Sequence, residues 1–188
     1  EWKRRRQGKI WFPGETVMTS IGQGYMQVTP LQLGVAAATI ANGGFRVTPH
    51  LVRAVQEPIS EDLRYRQPEQ RPVPLARSEG LPLVRKAMEE VVTSIRGTAH
   101  RLAGGPVSIA GKTGTAQVVA IDQDREEELD PEERARQLRD HALFIAYAPV
   151  EDPRIAVAVV IEHGVSGAKA AGEVARQIID SYFLGPKA

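Results

Sequence analysis

Residues 110–117 read Ala-Gly-Lys-Thr-Gly-Thr-Ala-Gln, and they constrain the fold more than any other stretch of the chain. The flanking segments 106–109 and 118–121 are rich in valine and isoleucine, which favour β-strands. A glycine inside a strand often marks a place where a ligand or another backbone comes close. The octet therefore predicts one extended strand that carries a cation, two hydroxyls and two glycines.

The spacing of these polar residues indicates what the strand can bind. Thr113 and Thr115 are two residues apart, so their side chains point to the same face of a strand. Lys112 and Gly114 belong to the other face, unless a local twist turns the lysine back toward the hydroxyls. Two hydroxyls beside an ammonium suit a carboxylate, and a strand edge can pair with an extended peptide.

A second block, residues 20–33, reads Ser-Ile-Gly-Gln-Gly-Tyr-Met-Gln-Val-Thr-Pro-Leu-Gln-Leu and is followed by Ala-Asn-Gly-Gly at 41–44. Residues 97–99 (Gly-Thr-Ala), the octet, and residues 141–149 (His-Ala-Leu-Phe-Ile-Ala-Tyr-Ala-Pro) come after it in that order. The Lys-Thr-Gly triplet resembles the third motif of serine penicillin-binding proteins and class A β-lactamases. The whole set resembles class B penicillin-binding proteins, and the elongation-type group, penicillin-binding protein 2, most of all. The resemblance extends over nearly the whole chain.

The resemblance implies a peptidoglycan D,D-transpeptidase that joins stem peptides through a serine acyl-enzyme and that β-lactams inhibit as substrate mimics. It implies catalytic roles for Lys112, which supplies positive potential, and for Thr115, whose backbone N–H completes an oxyanion hole. The hydroxyls of Thr113 and Thr115 are expected to bind the substrate carboxylate, and Gly114 to leave room for the substrate backbone. No cofactor is implied.

The family also needs a Ser-x-x-Lys motif with the nucleophile and a Ser-x-Asn motif, both upstream of residue 20, where this chain has nineteen residues and neither motif. We therefore expect residues 1–188 to be the C-terminal part of a transpeptidase domain that is inactive without the upstream part. The resemblance further implies an N-terminal transmembrane anchor in the parent protein, a location on the periplasmic side of the cytoplasmic membrane, and a membrane glycan polymerase of the SEDS family as partner.

Ser166 and Lys169 form a Ser-x-x-Lys match elsewhere in the chain. It follows the Lys-Thr-Gly strand, which is the wrong order for the family, and a short motif without its structural context is only a hypothesis. The favoured interpretation is a polar turn before the last helix.

Composition gives no support for a nucleic-acid or metal partner. The net charge is +1, so nothing demands a polyanion, and the basic residues 3–6 are interpreted as a solvated surface rather than a nucleic-acid site. Cysteine is absent, and the four histidines are scattered without the spacing of a metal site.

Hydrophobic periodicity predicts an α/β (α+β) fold with an antiparallel sheet flanked by helices. The resemblance implies that this is part of the penicillin-binding protein and serine β-lactamase-like fold. Strands are predicted at 143–147 and 154–161, with short satellite strands at 45–47 and 51–55. Helices are predicted at 31–40, after a capping box at Thr29 and buried nearly all round, at 83–95 and at 173–183. Residues 1–14 are expected to be irregular and 57–77 a surface connection.

Residues 122–140 hold nine acidic and four basic side chains between two predicted strands. We interpret them as a solvated insertion, with a lid or partner-binding element beside the cleft as the alternative.

Two other functions stay open. One is a non-catalytic relative that binds a peptide or a partner in the wall-building complex. The other is a D,D-carboxypeptidase or β-lactamase-like hydrolase, against which the block at 20–33 argues. The upstream sequence would separate the transpeptidase from the non-catalytic relative.

Overall fold

The computed structural model describes residues 1–24, 27–58, 62–75, 79–116 and 139–185. The helices are α1 (Trp2–Gln7), α2 (Pro13–Ser20), α3 (Pro30–Ala41), α4 (Gly80–Thr93) and α5 (Glu173–Leu184). The strands are β1 (Phe45–Val47), β2 (Ala54–Gln56), β3 (Leu63–Tyr65), β4 (Gln70–Pro72), β5 (Ala110–Ala116), β6 (His141–Ala148) and β7 (Ile155–Ile161). A 3₁₀ turn (His100–Leu102) precedes β5, and a π-helical turn (Gly167–Gly172) leads into α5. Within these ranges no helix is long and apolar enough to cross a bilayer.

The centre of the fold is an antiparallel sheet in the order β5-β6-β7. On one face the fully buried Phe144 packs into a core with Leu102 and with Ile179 of α5. On the other face Tyr147 packs with Ala41 of α3 and Met88 of α4. An antiparallel sheet with helices on both faces confirms the predicted fold class.

Gly111 lets β5 and β6 approach closely. A Cβ at this position would lie 2.6 Å from Cζ of Phe144 and 2.8 Å from the carbonyl oxygen of Ile145. The Phe144 ring therefore occupies the space that any other residue at 111 would need. The glycine before the Lys-Thr-Gly triplet has a packing reason that is independent of any ligand.

Helix α3 begins as the sequence predicts but is less buried than expected. Thr29 and Gln32 form the reciprocal capping box, with hydrogen bonds of 2.8 and 3.2 Å. Ala37 is fully buried, whereas Leu31 remains 63% exposed. The expectation of burial all round was wrong because only one side of α3 meets the sheet. The other side lines an open cavity of about 610 Å³.

The proline-rich segment 57–77 contains two strands, which the sequence did not predict. β4 pairs with β1, and β3 pairs with β2, as two nested antiparallel pairs. The second predicted satellite strand also lies later than expected, at Ala54–Gln56. Three-residue strands carry almost no periodic signal, so only their partners define them.

The first fourteen residues are not irregular throughout, since they contain α1 and the start of α2, and a buried ion pair links these two helices. Lys3, only 3% exposed, donates a 2.9 Å hydrogen bond to the carbonyl oxygen of Ile10 and forms an ion pair with Glu15. Glu15 also accepts a 2.7 Å hydrogen bond from the backbone N–H of Phe12 at the start of α2. One member of the basic run is thus a structural residue and not part of a solvated surface.

The predicted insertion 122–140 lies outside the described residues except for its last two. The backbone oxygens of Arg139 and Asp140 bond to His163 and Val165, so the end of the insertion is held against the turn after β7. The boundaries and the solvated character of the insertion stay predictions.

We expect Gly111→Ala to destabilise the chain by about 1–3 kcal/mol, the usual cost of overpacking a core. The added methyl group must displace the Phe144 ring or the β6 backbone. Urea denaturation followed by circular dichroism measures the change. Gly14→Ala is the matched control, since a Cβ at Gly14 has no heavy atom within 4 Å. Equal stability of the two variants would contradict this account of the sheet.

Glu15→Gln is expected to lower stability at neutral pH. The hydrogen bond from Lys3, followed by that from the Phe12 backbone, holds the pKa of Glu15 below its usual value of 4.5. A lowered folded-state pKa stabilises the protein above the unfolded value, and this stabilisation is lost as the pH falls through the folded one. Denaturation at pH 7 and at pH 3 should therefore show a difference between wild type and variant that shrinks at the lower pH. A difference that is the same at both pH values would exclude the ion pair as its cause.

Candidate active site

The Lys-Thr-Gly triplet lies on a strand at the edge of the central sheet. Among the described strands only β6 pairs with β5, over the full register from Ala110↔Tyr147 to Ala116↔His141. An edge strand offers N–H and C=O groups to a further strand. The predicted strand is confirmed, and its place at the edge suits the addition of an extended peptide.

The segment that leads into β5 is held by two side-chain contacts, one with Glu151 and one with Arg176. Ser108 donates a 2.7 Å hydrogen bond to Glu151, which holds the pKa of this carboxyl below its usual value, and accepts one of 3.0 Å from the backbone of Val150. Arg176 of α5 donates a 2.9 Å hydrogen bond to the carbonyl oxygen of Val107. These contacts tie the entry of the strand to the β6–β7 link and to α5.

The ammonium of Lys112 turns back toward the threonine side of the strand. It donates a 2.7 Å hydrogen bond to the carbonyl oxygen of Thr113 and lies 3.5 Å from the Thr113 hydroxyl. Strand parity alone would place this side chain on the face of Ala110, so the long lysine stem curls around the strand. The sequence left the orientation of Lys112 open, and the structure places its ammonium beside the Thr113 hydroxyl.

The two threonines share a face, as their spacing predicts, but differ in exposure. Thr115 is exposed, and Thr113 is half-buried. The Thr113 hydroxyl lies 3.1 Å from the hydroxyl of Thr98, which comes from the link between α4 and the 3₁₀ turn. The site therefore contains a third hydroxyl that the site prediction omitted. Residues fifteen positions apart on different elements leave no periodic pattern that would connect them.

Gly114 is packed against its neighbours as well as being placed for a ligand. A Cβ at Gly114 would lie 3.2 Å from Cβ of its partner Leu143 on β6. The π-helical turn crosses at the same point, because a Cβ at Gly167 would lie 2.9 Å from the carbonyl oxygen of Gly114. The packing gives a second reason for glycine at 114, and room for substrate stays a prediction.

Ser166 of the Ser-x-x-Lys match caps a turn. The Ser166 hydroxyl accepts a 3.3 Å hydrogen bond from the backbone N–H of Lys169 at the start of the π-helical turn. The residues thus form the polar turn before the last helix, as the favoured interpretation predicts.

Two of the four histidines are in contact, which corrects the description of all four as scattered. The ring centroids of His141 and His163 are 4.9 Å apart, and the backbone N–H of His163 donates a 3.0 Å hydrogen bond to Nδ1 of His141. Across the ranges that the structure describes, no three metal-binding side chains cluster.

Comparison with known proteins decides the family. Residues 4–180 match the model of the penicillin binding protein transpeptidase domain. The chain belongs to this transpeptidase family. It is 38% identical over 186 residues to peptidoglycan D,D-transpeptidase MrdA of Escherichia coli K12, covering 98% of this chain and 29% of that protein. The chain thus spans less than a third of this relative's length.

Solved structures of family members confirm the arrangement. Pseudomonas aeruginosa PBP2, crystallised with WCK 5153, matches with a TM-score of 0.74 and 38% identity, over 97% of this chain and 37% of that one. Helicobacter pylori PBP2 in a complex with MreC matches with a TM-score of 0.71 and 31% identity, over 98% of this chain and 30% of that one. The resemblance inferred from the sequence motifs is therefore confirmed. The roles of Lys112, Thr113, Gly114 and Thr115 stay predictions.

Proposed function

We propose that this chain forms the carboxylate-binding half of the active site in a peptidoglycan D,D-transpeptidase. The observation that carries the proposal is the cluster on β5, where the Lys112 ammonium and the hydroxyls of Thr113 and Thr115 lie along an open strand edge. Membership of the transpeptidase family and similarity to MrdA support it.

The proposed substrate is the D-Ala-D-Ala end of a peptidoglycan stem peptide. Its terminal carboxylate accepts hydrogen bonds from Thr113 and Thr115, and the nearby ammonium of Lys112 strengthens this binding electrostatically. The peptide backbone lies along the free edge of β5 as an added strand. Penicillins carry a carboxylate at a corresponding distance from a reactive amide, so they bind the same groups.

The proposed chemistry is acyl transfer through a serine supplied by polypeptide upstream of this chain. The serine oxygen attacks the penultimate D-Ala carbonyl, and the C–N bond to the terminal D-Ala breaks. The nitrogen of the terminal D-Ala takes up the proton that the serine hydroxyl lost, and this D-Ala leaves as the free amino acid. The backbone N–H of Thr115 stabilises the oxyanion together with the N–H of that serine. An amine from a neighbouring stem peptide then displaces the serine and completes the cross-link.

The proposed setting is the outer side of the bacterial cytoplasmic membrane, with an anchor and the nucleophile in the rest of the parent protein. A membrane glycan polymerase of the SEDS family is the proposed partner, because new glycan must be supplied where stem peptides are joined. The complex of the Helicobacter relative with MreC supports the idea that such proteins work in assemblies.

Lys112→Ala in the intact transpeptidase domain, this chain joined to its upstream part, is expected to slow acylation by a fluorescent penicillin by about 10- to 100-fold. The variant removes the positive charge beside the carboxylate. Labelling rates resolved on a gel measure the effect. Lys86→Ala is the matched control, because Lys86 is an exposed lysine on α4 whose closest ion pair, with Glu90, spans 4.0 Å. Unchanged labelling in Lys112→Ala would contradict the proposed role.

The isolated 188-residue chain is expected to show no covalent labelling by the same penicillin, because no Ser-x-x-Lys motif precedes its Lys-Thr-Gly strand to supply the nucleophile. Labelling restored by the upstream part would support the transpeptidase. An intact domain that is never labelled would favour a non-catalytic binding protein. Labelling of the isolated chain that Ser166→Ala removes would show that the capping serine is reactive after all.

A further inference from the structure

Thr98 is exposed beside the active-site strand, and both of its neighbours in sequence are packed against α4. Its neighbour Ala99 is fully buried and donates a 3.0 Å hydrogen bond to the carbonyl oxygen of Val91 near the end of α4. Its other neighbour, Gly97, approaches the same helix so closely that a Cβ would lie 2.2 Å from the Val91 oxygen. With both neighbours fixed to α4, the Thr98 hydroxyl reaches β5 at 3.1 Å from the Thr113 hydroxyl.

The direction of this hydroxyl–hydroxyl hydrogen bond decides what Thr113 can do. A threonine hydroxyl has one proton to donate and two lone pairs that accept. A carboxylate can only accept. Thr113 can therefore donate to a carboxylate only if its proton is not already given to Thr98.

The position of Lys112 favours one direction. Its ammonium is a donor without lone pairs and lies 3.5 Å from the Thr113 hydroxyl oxygen. A positive group at this distance stabilises electron density on the oxygen and directs the hydroxyl proton away from the ammonium. With the Thr113 proton directed away from Lys112, the Thr113 oxygen can accept a hydrogen bond from Thr98 at 3.1 Å. That arrangement leaves the Thr113 proton free for a bound carboxylate.

We propose that Thr98 is a positioning residue that donates its hydroxyl proton to Thr113, so that the Thr113 hydroxyl donates to the substrate carboxylate. The chain of donors runs from Thr98 to Thr113 to the carboxylate, and each bond in such a chain polarises the next. Thr98 acts on binding through Thr113. This inference rests on the proposed function, because it needs a carboxylate at Thr113.

The test uses the intact transpeptidase domain with Thr98→Val, which keeps the shape of the side chain and removes the hydroxyl. Acylation by benzylpenicillin is compared with acylation by its methyl ester, which lacks the charged carboxylate. We expect acylation efficiency with benzylpenicillin to fall by about five- to tenfold. The fall should lie in the half-saturating concentration rather than in the limiting rate, and it should be much smaller with the ester. Thr98→Ser should restore the wild-type values.

Thr93→Val is the matched control. Thr93 is an exposed threonine at the end of α4 whose hydroxyl donates to the Glu89 carbonyl at 3.1 Å and not to the site. Thr93→Val should leave acylation by benzylpenicillin and by its methyl ester unchanged. Thr98→Val added to Thr113→Val should cause no further loss, since the hydroxyl through which Thr98 acts is already absent.

Each of the following outcomes would overturn the proposal. Equal falls with penicillin and ester would show a purely structural role, and additive losses in the double variant would show that Thr98 acts independently of Thr113. A rise in penicillin affinity would show that Thr98 accepts the Thr113 proton in the native protein. If the wild-type domain itself is never acylated, the proposed function fails and this inference fails with it. If the wild type is acylated and Thr98→Val matches it, only the role of Thr98 fails.

Discussion

The pairing of β5 with β6 is the interaction on which both the core and the candidate site depend. Seven residues of β5 are in continuous register with β6, and this register places Thr113 opposite Phe144. A slip of one residue would send every side chain of β5 to the other face. Gly111 prevents such a slip, since the Phe144 ring fills the space that only a glycine leaves open. The contact between Gly111 and Phe144 thus sets which face of the sheet carries the hydroxyls of Thr113 and Thr115.

The Lys112 ammonium lies where it pays little desolvation free energy in the absence of a ligand. Lys112 is exposed, so water still solvates its ammonium, and the Thr113 carbonyl oxygen holds it near the hydroxyls. Burying an unpaired ammonium would instead carry a large desolvation cost. Lys3 illustrates the other solution, because its buried ammonium is matched by Glu15 and a carbonyl oxygen. The chain therefore uses one lysine to join two helices and leaves another available to an anion.

The sequence predicted those parts of the fold that local patterns encode. The long strands, the capped start of α3 and the closing helix each carry a periodicity or a capping signal over many residues. The helices α1 and α2, the paired strands β3 and β4, and the contact of Thr98 with Thr113 depend on tertiary partners rather than on a local pattern. The exposed side of α3 was misjudged for the same reason, because composition shows that a helix is apolar but not which neighbours cover it. The site residues on β5 could be placed together from the sequence because one strand carries them all. The position of Thr98 beside Thr113 became visible only in the folded structure.

Close packing at three glycines contributes to the geometry of the candidate site. Gly97 meets the end of α4, Gly111 meets β6, and Gly167 meets both strands beside Thr113, each so closely that a Cβ would come within 3 Å of another atom. Contacts between backbones have few ways to relax, since neither side can change rotamer. Gly167 comes closest to Thr113, since a Cβ at Gly167 would lie 3.2 Å from the Thr113 Cβ, while Gly97 and Gly111 fix the segments that carry Thr98 and the start of the triplet. For the carboxylate binding that we propose, backbone segments fixed in this way would lose little further entropy when the ligand arrives, which is the advantage of a site built on rigid elements.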